Sequence, residues 1–401
     1  MTVAQETSLK TALQEAVDRL KPELDALSLR IHGQPEIAFQ ERQAAAWLTE
    51  FLEHAGFAVE RGVGGLETAF VGRYRGGDGP SVALLAEFDA LPGIGHGCGH
   101  NIIGTSAVGA AIALKEALPN VPGEVVVVGT PAEESGGGKA YLVEAGVLDG
   151  ISASMMVHPS MKTEVVASLI SMQEVVVEYF GKAAHASSKP QDGINALDAL
   201  VIGYMGVATL RQHIRSDARI HGIITNGGAV PNVVPDYASG RFFMRAKDDA
   251  YLDDLQQRVL ACFRAGAEAT GARLEYRFPS KRYSSMRSNP TLARVFKDNL
   301  AVLGVAETPP DPTRGSGSSD MGNVSQVMPA LHPSIAIAPT GVPGHSLQFT
   351  EYAKSSAGMV GQAHAAKAMA MTVADLFLNP ELLAAAADEF RAGNVAEVQQ
   401  Q

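Results

Sequence analysis

The spacing of apolar positions changes several times along the chain, and each change predicts an element. Over the first sixty residues the apolar positions recur at helical spacing. HGQPEIAFQERQAAAWLTEFLEHAG (32–56) puts them at i, i+3 and i+4 and ends on a glycine stop. Short apolar runs then alternate with helical stretches. SVALLA (81–86), EVVVVGT (124–130) and SASMMVH (152–158) read as buried strands, and TSAVGAAIALKEAL (105–118) and GGKAYLVEAGVL (137–148) as helices. This alternation predicts an α/β fold, with a mainly parallel sheet covered by helices.

Near residue 165 the rhythm changes. QEVVVEYFG (173–181) predicts a strand, 194–214 a helix, 218–228 and 236–246 two strands, 251–271 a helix and 272–279 a strand. That β-α-β-β-α-β order is a self-contained ferredoxin-like unit. We therefore expect an inserted domain at 170–283 and a main domain built from 1–169 and 284–385. The second stretch should contribute a helix (292–304), a glycine and serine loop (RGSGSSDMGN, 314–323), a strand (PSIAIAPTG, 333–341) and a long helix ending near 377. The alanine-rich stretch from 380 reads as helical, and 386–401 as a tail frayed over NVAEVQQQ.

The composition narrows the function classes. A chain of 401 residues can form two domains with real cores, and 46% hydrophobic with 19% charged residues is ordinary for a globular protein. A net charge of −11 argues against nucleic acid or an anionic membrane as partner. Two cysteines, Cys98 and Cys262, make no disulfide framework, and Cys262 reads as a small buried apolar residue in a helix. The N-terminus lacks an apolar signal core, and no apolar run reaches the roughly 18 residues of a membrane span. The expected compartment is the cytoplasm.

The stretch GIGHGCGHN (93–101) carries the first chemistry. Its glycines do not fall in the register of a dinucleotide-binding loop, and no P-loop lysine follows. Open α/β sheets place ligands at the carboxyl ends of their strands. Here SVALLA runs into Glu87, Asp89, Cys98 and His100; EVVVVGT into Glu133 and Glu134; SASMMVH ends on His158; and PSIAIAPTG runs on to His345. One such residue would usually be structural. Four strands delivering such groups to one rim point to metal. Thiolate and imidazole suit zinc, and carboxylate completes a site for divalent ions. Cys98 and His100, two apart, can face the same side, and the glycines allow a tight turn. Of the adjacent Glu133 and Glu134, one can bind metal while the other faces substrate as a general base. Asp89 can orient a ligand from behind.

Taken in order, LLAEFDALPG, HGCGHNIIG, TPAEESGGG, MMVHP, GKAAHASSKPQDGINALDA, GGAVPNVVPD, SSDMGNVS and GHSLQF resemble the aminoacylase and carboxypeptidase family of two-metal amidohydrolases. The resemblance covers about residues 25 to 365, and HGQPEIAFQE fits it as well. GCGHN, SSDMGNVS and GHSLQF lean toward the p-aminobenzoyl-glutamate hydrolase branch and its relatives that cleave β-alanyl dipeptides. The resemblance implies a zinc-peptidase-like catalytic domain and two divalent ions per chain, zinc favoured by the thiolate and manganese as the other candidate. It implies five ligands: Cys98, His100, Glu134, His158 and His345. It also implies Glu133 as general base. The inserted domain would form a homodimer and offer His185 to the neighbouring subunit's oxyanion. Asn232 would bind the substrate's carboxylate or its reacting carbonyl. To these we add Arg314, whose guanidinium could fork onto a substrate carboxylate.

Two positions depart from the family pattern. Glu87-x-Asp89 stands where many relatives have His-x-Asp, so that Cys98 must supply a ligand. Asn101 follows Gly-His where the auxin-conjugate hydrolase branch has Asp, which removes a charge beside the metals. The expected function is hydrolysis of the amide of a small N-acyl amino acid resembling p-aminobenzoyl-glutamate. A dipeptidase acting on β-alanyl or cationic dipeptides is the alternative within that class. A non-catalytic small-molecule-binding homologue is the alternative from another class.

Overall fold

The computed structural model describes residues 2–309 and 316–396. The chain begins with two helices, α1 (Val3–Gly33) and α2 (Arg42–His54), then runs through β1 (Ala58–Arg61), β2 (Phe70–Arg75), β3 (Ser81–Ala86), α3 (His100–Ala117), β4 (Glu124–Gly129), α4 (Gly138–Glu144), β5 (Ile151–Met155) and β6 (His158–Ser160). Next come β7 (Ser171–Phe180), α5 (Ala196–Leu210), β8 (Arg219–Asn226), β9 (Tyr237–Ala246), α6 (Asp249–Thr270) and β10 (Arg273–Arg277). The remainder holds α7 (Pro290–Val302), α8 (Met321–Ser325), β11 (Ala330–Leu331), β12 (Ser334–Ala336), α9 (Leu347–Ala353), α10 (Ser356–Leu378) and α11 (Pro380–Ala392). Two units emerge, one of Met1–Ser168, Met286–Gly315 and Asn323–Gln401, the other of Leu169–Ser285 and Ser316–Gly322. No single helix among the described residues is long and apolar enough to cross a membrane.

The first unit is built on a six-stranded sheet in the order β1-β2-β4-β3-β5-β11. The pairs β4–β3, β3–β5 and β5–β11 are parallel. The strands β3 and β4 sit in the middle because they are apolar along both faces: all six residues of β4 are buried, and five of six in β3. The helix α3 is buried from His100 to Leu114 and packs on both strands. In turn α1 and α10 pack on α3. The sheet is mixed at one edge, where β1–β2 and β2–β4 are antiparallel. That edge reads weakly in sequence because AVER and FVGRYR interleave charged, half-exposed residues with the apolar ones.

The second unit has its own core and a four-stranded antiparallel sheet, β10-β7-β9-β8, with α5 and α6 packed together over it. Its strand and helix order is β-α-β-β-α-β.

Four sequence expectations need correction. Strand PSIAIAPTG shrinks to the three residues of β12, and His158 begins β6, which pairs with β12 rather than with the main sheet. The cause is proline. The pairing of β5 with β11 continues through Met156 N–H to the Leu331 carbonyl and His158 N–H to the Pro333 carbonyl. However, Pro333 has no amide hydrogen to donate back, so the ladder is interrupted there. Residues 316–322, expected in the main domain, belong to the second unit. Ile170 N–H donates to the Gly317 carbonyl and Arg245 Nη1 to Ser318 Oγ. The helix read from 380 is α11, and the boundary at 386 falls inside it: α11 continues to Ala392, tied down by Asn289 Nδ2 to the Ala386 carbonyl and Arg287 Nη2 to the Phe390 carbonyl. Ala396 N–H still donates to the Ser288 carbonyl, and 397–401 lie outside the described residues. Finally, the stretch up to residue 60 is not all helix, since it ends in β1.

Candidate metal centre

Three loops at the carboxyl ends of β3, β4 and β5, and a fourth before α9, bring the candidate ligands together. After β3 the chain passes Glu87 and Asp89 and turns through the glycine-rich stretch to Cys98. Gly99, at φ +79, then reverses direction so that His100 opens α3. Such a φ suits glycine best. After β4, Ala132 at φ +62 turns Glu133 and Glu134 inward. His158 follows β5 by way of Met156 and Val157. His345 lies in the loop before α9 at φ +55, and its N–H donates to the Gly97 carbonyl, which fixes it beside Cys98.

The five side chains form one connected set. Cys98 Sγ lies 3.3 Å from His158 Nε2 and 3.4 Å from His345 Nε2. Glu134 lies 3.6 Å from His345 Nε2 and 3.9 Å from His100 Nε2. Three overlapping triads have ligand atoms within 4.8 Å of one another: Cys98, His100 and His158; Cys98, Glu134 and His345; and His100, Glu133 and Glu134. The first two share Cys98, so that two neighbouring positions for a cation are sketched by protein atoms alone. Mixed thiolate, imidazole and carboxylate donors suit a divalent transition ion. His100 Nε2 and Glu134 Oε1 are buried without a hydrogen-bond partner of good geometry. Buried polar atoms are rarely left so, and a cation would satisfy both. The donor set therefore fits metal.

Behind the ligands, Asp89 ties two of them. Its Oδ1 accepts from His100 Nδ1 at 2.8 Å and its Oδ2 from the Glu134 N–H at 2.9 Å. The first bond aims His100 Nε2 at Glu134. His158 Nδ1 donates to the Pro159 carbonyl at 2.6 Å, which turns its Nε2 to Cys98. Burial, then the nearby Glu134 charge, pushes the Cys98 thiol well above its ordinary value. For His100, burial alone would lower the pKa, but Asp89 and then Glu87 outweigh it and hold the imidazolium. Burial, and then His332, pushes His158 down to about 3.

Two features were not read from sequence. Glu87, which departs from the family pattern, forms a fully buried ion pair with Lys139 Nζ at 2.5 Å, and its other oxygen lies 3.3 Å from His100 Nε2. Burial works against its charge, but Lys139 and then His100 hold the carboxyl well below the usual range. Lys139 sits in GGGKAY, where a lysine reads as surface. His332 stacks on His158, with ring centroids 5.5 Å apart, and is buried without a hydrogen-bond partner of good geometry at either ring nitrogen. No motif marks it.

The remaining candidates lie elsewhere. His185 and Asn232 are exposed residues of the second unit, on neighbouring segments: Ala186 N–H donates to the Asn232 carbonyl. His185 Nδ1 lies 3.2 Å from Ser187 Oγ and accepts from the Ser187 and Ser188 amides. An accepting Nδ1 leaves the ring proton on Nε2. Arg314 lies outside the described residues.

Comparison with known proteins places the chain in a family. Residues 83–371 match peptidase family M20/M25/M40. The chain belongs to that family. Among curated relatives of this M20 chain, the Xaa-Arg dipeptidase of Mus musculus is 39% identical over 96% of this chain and 92% of its own length. A p-aminobenzoyl-glutamate hydrolase chain of Escherichia coli (strain K12) is 30% identical over 92% of each. The solved structure of an aminobenzoyl-glutamate utilization protein from Klebsiella pneumoniae superposes with a TM-score of 0.71 at 20% identity, covering 90% of this chain and 98% of that one. As an M20 peptidase with hydrolases and dipeptidases at this level of likeness, the chain is an amide-bond hydrolase.

Proposed function

We propose that the chain is a metal-dependent dipeptidase in which Cys98, His100, Glu134, His158 and His345 hold two divalent cations, zinc or manganese, and Glu133 is the general base. The observation that carries this reading is the connected set of five ligand side chains, two of them with a buried atom that has no hydrogen-bond partner of good geometry, beside a second carboxylate. The bound cations would supply the positive charge that polarises the amide carbonyl and acidifies a water. Glu133 would take a proton from an attacking water as the water oxygen bonds to the carbonyl carbon, then pass it to the departing nitrogen as the C–N bond breaks. Asp89 keeps His100 and Glu134 in register throughout. His185, with its ring proton on Nε2, donates to the developing oxyanion, and Asn232 binds the substrate's carboxylate or its carbonyl.

The substrate we favour is a dipeptide with a cationic C-terminal residue. The 39% likeness to an Xaa-Arg dipeptidase over nearly the whole chain supports it. The second reading is an N-acyl amino acid of the p-aminobenzoyl-glutamate kind, supported by the 30% likeness to that hydrolase. A homodimer through the second unit is part of the proposal. On that unit β8 pairs with β9 alone among the described residues, and Ile223, Ile224, Val201, Ile202 and Met205 are exposed. Apolar side chains beside an open strand edge favour association.

The test is elemental analysis of protein purified without chelator, run beside hydrolysis of Ala-Arg, β-alanyl-lysine, p-aminobenzoyl-glutamate and hippurate. We expect about two metal ions per chain, as a two-metal site requires, and fastest release of product from the cationic dipeptides. Faster p-aminobenzoyl-glutamate cleavage would favour the second reading. No metal after incubation with zinc or manganese would overturn the mechanism.

A further inference from the structure

The loop that carries Glu133 and Glu134 hangs from a carboxylate that belongs to neither the ligand set nor the substrate. Glu41 is fully buried at the N-terminus of α2. Its Oε1 accepts from the Ala132 N–H and from the Phe39 N–H, both at 2.9 Å, and its Oε2 accepts from Thr68 Oγ1 at 2.9 Å. Ala132 and Phe39 are two of three non-glycine residues with positive φ among the described residues, both at +62. A conformation that L-residues avoid persists only where its surroundings hold it. One carboxylate thus holds two strained turns: the one that presents Glu133, and the one in its own segment.

The rest of that segment tightens the same clamp. The Phe39 ring lies where a β-carbon on Gly136 would be 2.4 Å from it, so the far end of the Glu133 loop sits directly on Phe39. Ala90 N–H donates to the Glu36 carbonyl, which pins the residue after Asp89. The capping of α2 is handed over as well. Glu41 makes no side-chain cap, and Glu36 accepts from the Gln43 and Ala44 amides instead. The loop amides of Ala132 and Glu134 are therefore held in turn by Glu41 and Asp89, two neighbouring buried carboxylates.

We infer that Glu41 is a positioning residue for the hydrolytic centre: by fixing Ala132 it sets the direction of the Glu133 base and the Glu134 ligand. This rests on the metal-centre reading above, but its first readout needs no substrate. In Glu41→Ala the Ala132 amide loses its acceptor, and the strained turn relaxes. Affinity for zinc, measured by chelator competition, should weaken about 10- to 100-fold, the usual effect of losing a group that orients a ligand. At saturating metal kcat should fall by a similar factor, with KM little changed. Hydrogen exchange of the 131–137 amides should quicken.

Glu41→Gln should restore most of both, because its carbonyl can still accept from the two amides while its amino group meets Thr68. Burial, and then the Asp89 charge, already pushes the Glu41 carboxyl up to about 7, so a neutral group is tolerated there. If Glu41→Ala folds and keeps zinc affinity and kcat within about threefold of the parent, well short of the loss expected for an orienting group, the inference is wrong. It is equally wrong if Glu41→Gln is as impaired as Glu41→Ala. Should the Ala variant not fold, Thr68→Val supplies the same readouts, with a smaller loss expected because only one of three hydrogen bonds is removed. Failure of the parent to bind zinc at all would instead count against the metal-centre reading.

Discussion

Protons and metal compete for the same atoms at Cys98 and His100. Burial and Glu134 raise the Cys98 pKa, and for His100 the carboxylates of Asp89 and Glu87 outweigh burial and raise it too. Both groups therefore keep their protons at neutral pH in the cation-free protein, and a cation must displace them. Affinity should rise with pH and fall as the solution is acidified. Adding zinc to chelator-stripped protein in weakly buffered dye should release about two protons per chain from these residues; no release would mean that the thiol and imidazole are not ligands. Glu133 belongs to the same scale and gives the opposite separation. Glu133→Ala should keep the fold and the metal content, yet lower kcat by about 10²- to 10⁴-fold, the usual worth of a general base. Near-normal turnover in that variant would remove Glu133 from the mechanism. Cys98→Ala should lose metal as well as turnover, which separates ligand from base.

At the scale of elements, the turn between Cys98 and α3 is the most exacting. Gly99 has φ +79, and a β-carbon there would lie 2.9 Å from the Pro159 ring. Gly99→Ala should therefore cost at least about 1–2 kcal/mol for the backbone conformation alone, seen as a lower thermal midpoint. It should also weaken zinc binding by shifting Cys98 against His158. An unchanged midpoint would show that the turn relaxes freely. The glycine-rich stretch announced this turn in sequence, as the unbroken apolar runs announced β3 and β4. What escaped sequence reading lacked such a signal. The strands β1 and β2 carry half-exposed charged residues, β12 is separated from β11 by Pro333, and His332 sits outside any motif. Lys139 was missed for a different reason: a lysine is read as surface unless its partner is known, and Glu87 lies 52 positions away. Glu41 stood inside a stretch that fitted the family, yet its acceptor role depends on Ala132, which only the fold brings near.

At the scale of the whole molecule, the proposed dimer raises the question of which subunit's His185 would serve which centre. If the chain dimerises through the second unit and His185 acts on the neighbouring subunit, two inactive variants must complement each other. In a mixed dimer of His185→Ala and Glu133→Ala subunits, the centre that keeps Glu133 would be served by the intact His185 of its partner, and the other centre would lack both. Random exchange between equal amounts makes half the dimers mixed, so about a quarter of all centres should work in an isologous pair. If His185 instead serves its own subunit, every centre in the mixture lacks one group, and activity stays at the level of the separate variants. The experiment requires a dimer, which light scattering after size exclusion reports directly. Ile223→Lys on the open edge of β8 should shift that mass toward monomer, since a charge on a strand edge opposes pairing. With His185 acting in trans, the monomer should also lose turnover while retaining its metal, because the ligand set lies within one chain and the oxyanion donor does not.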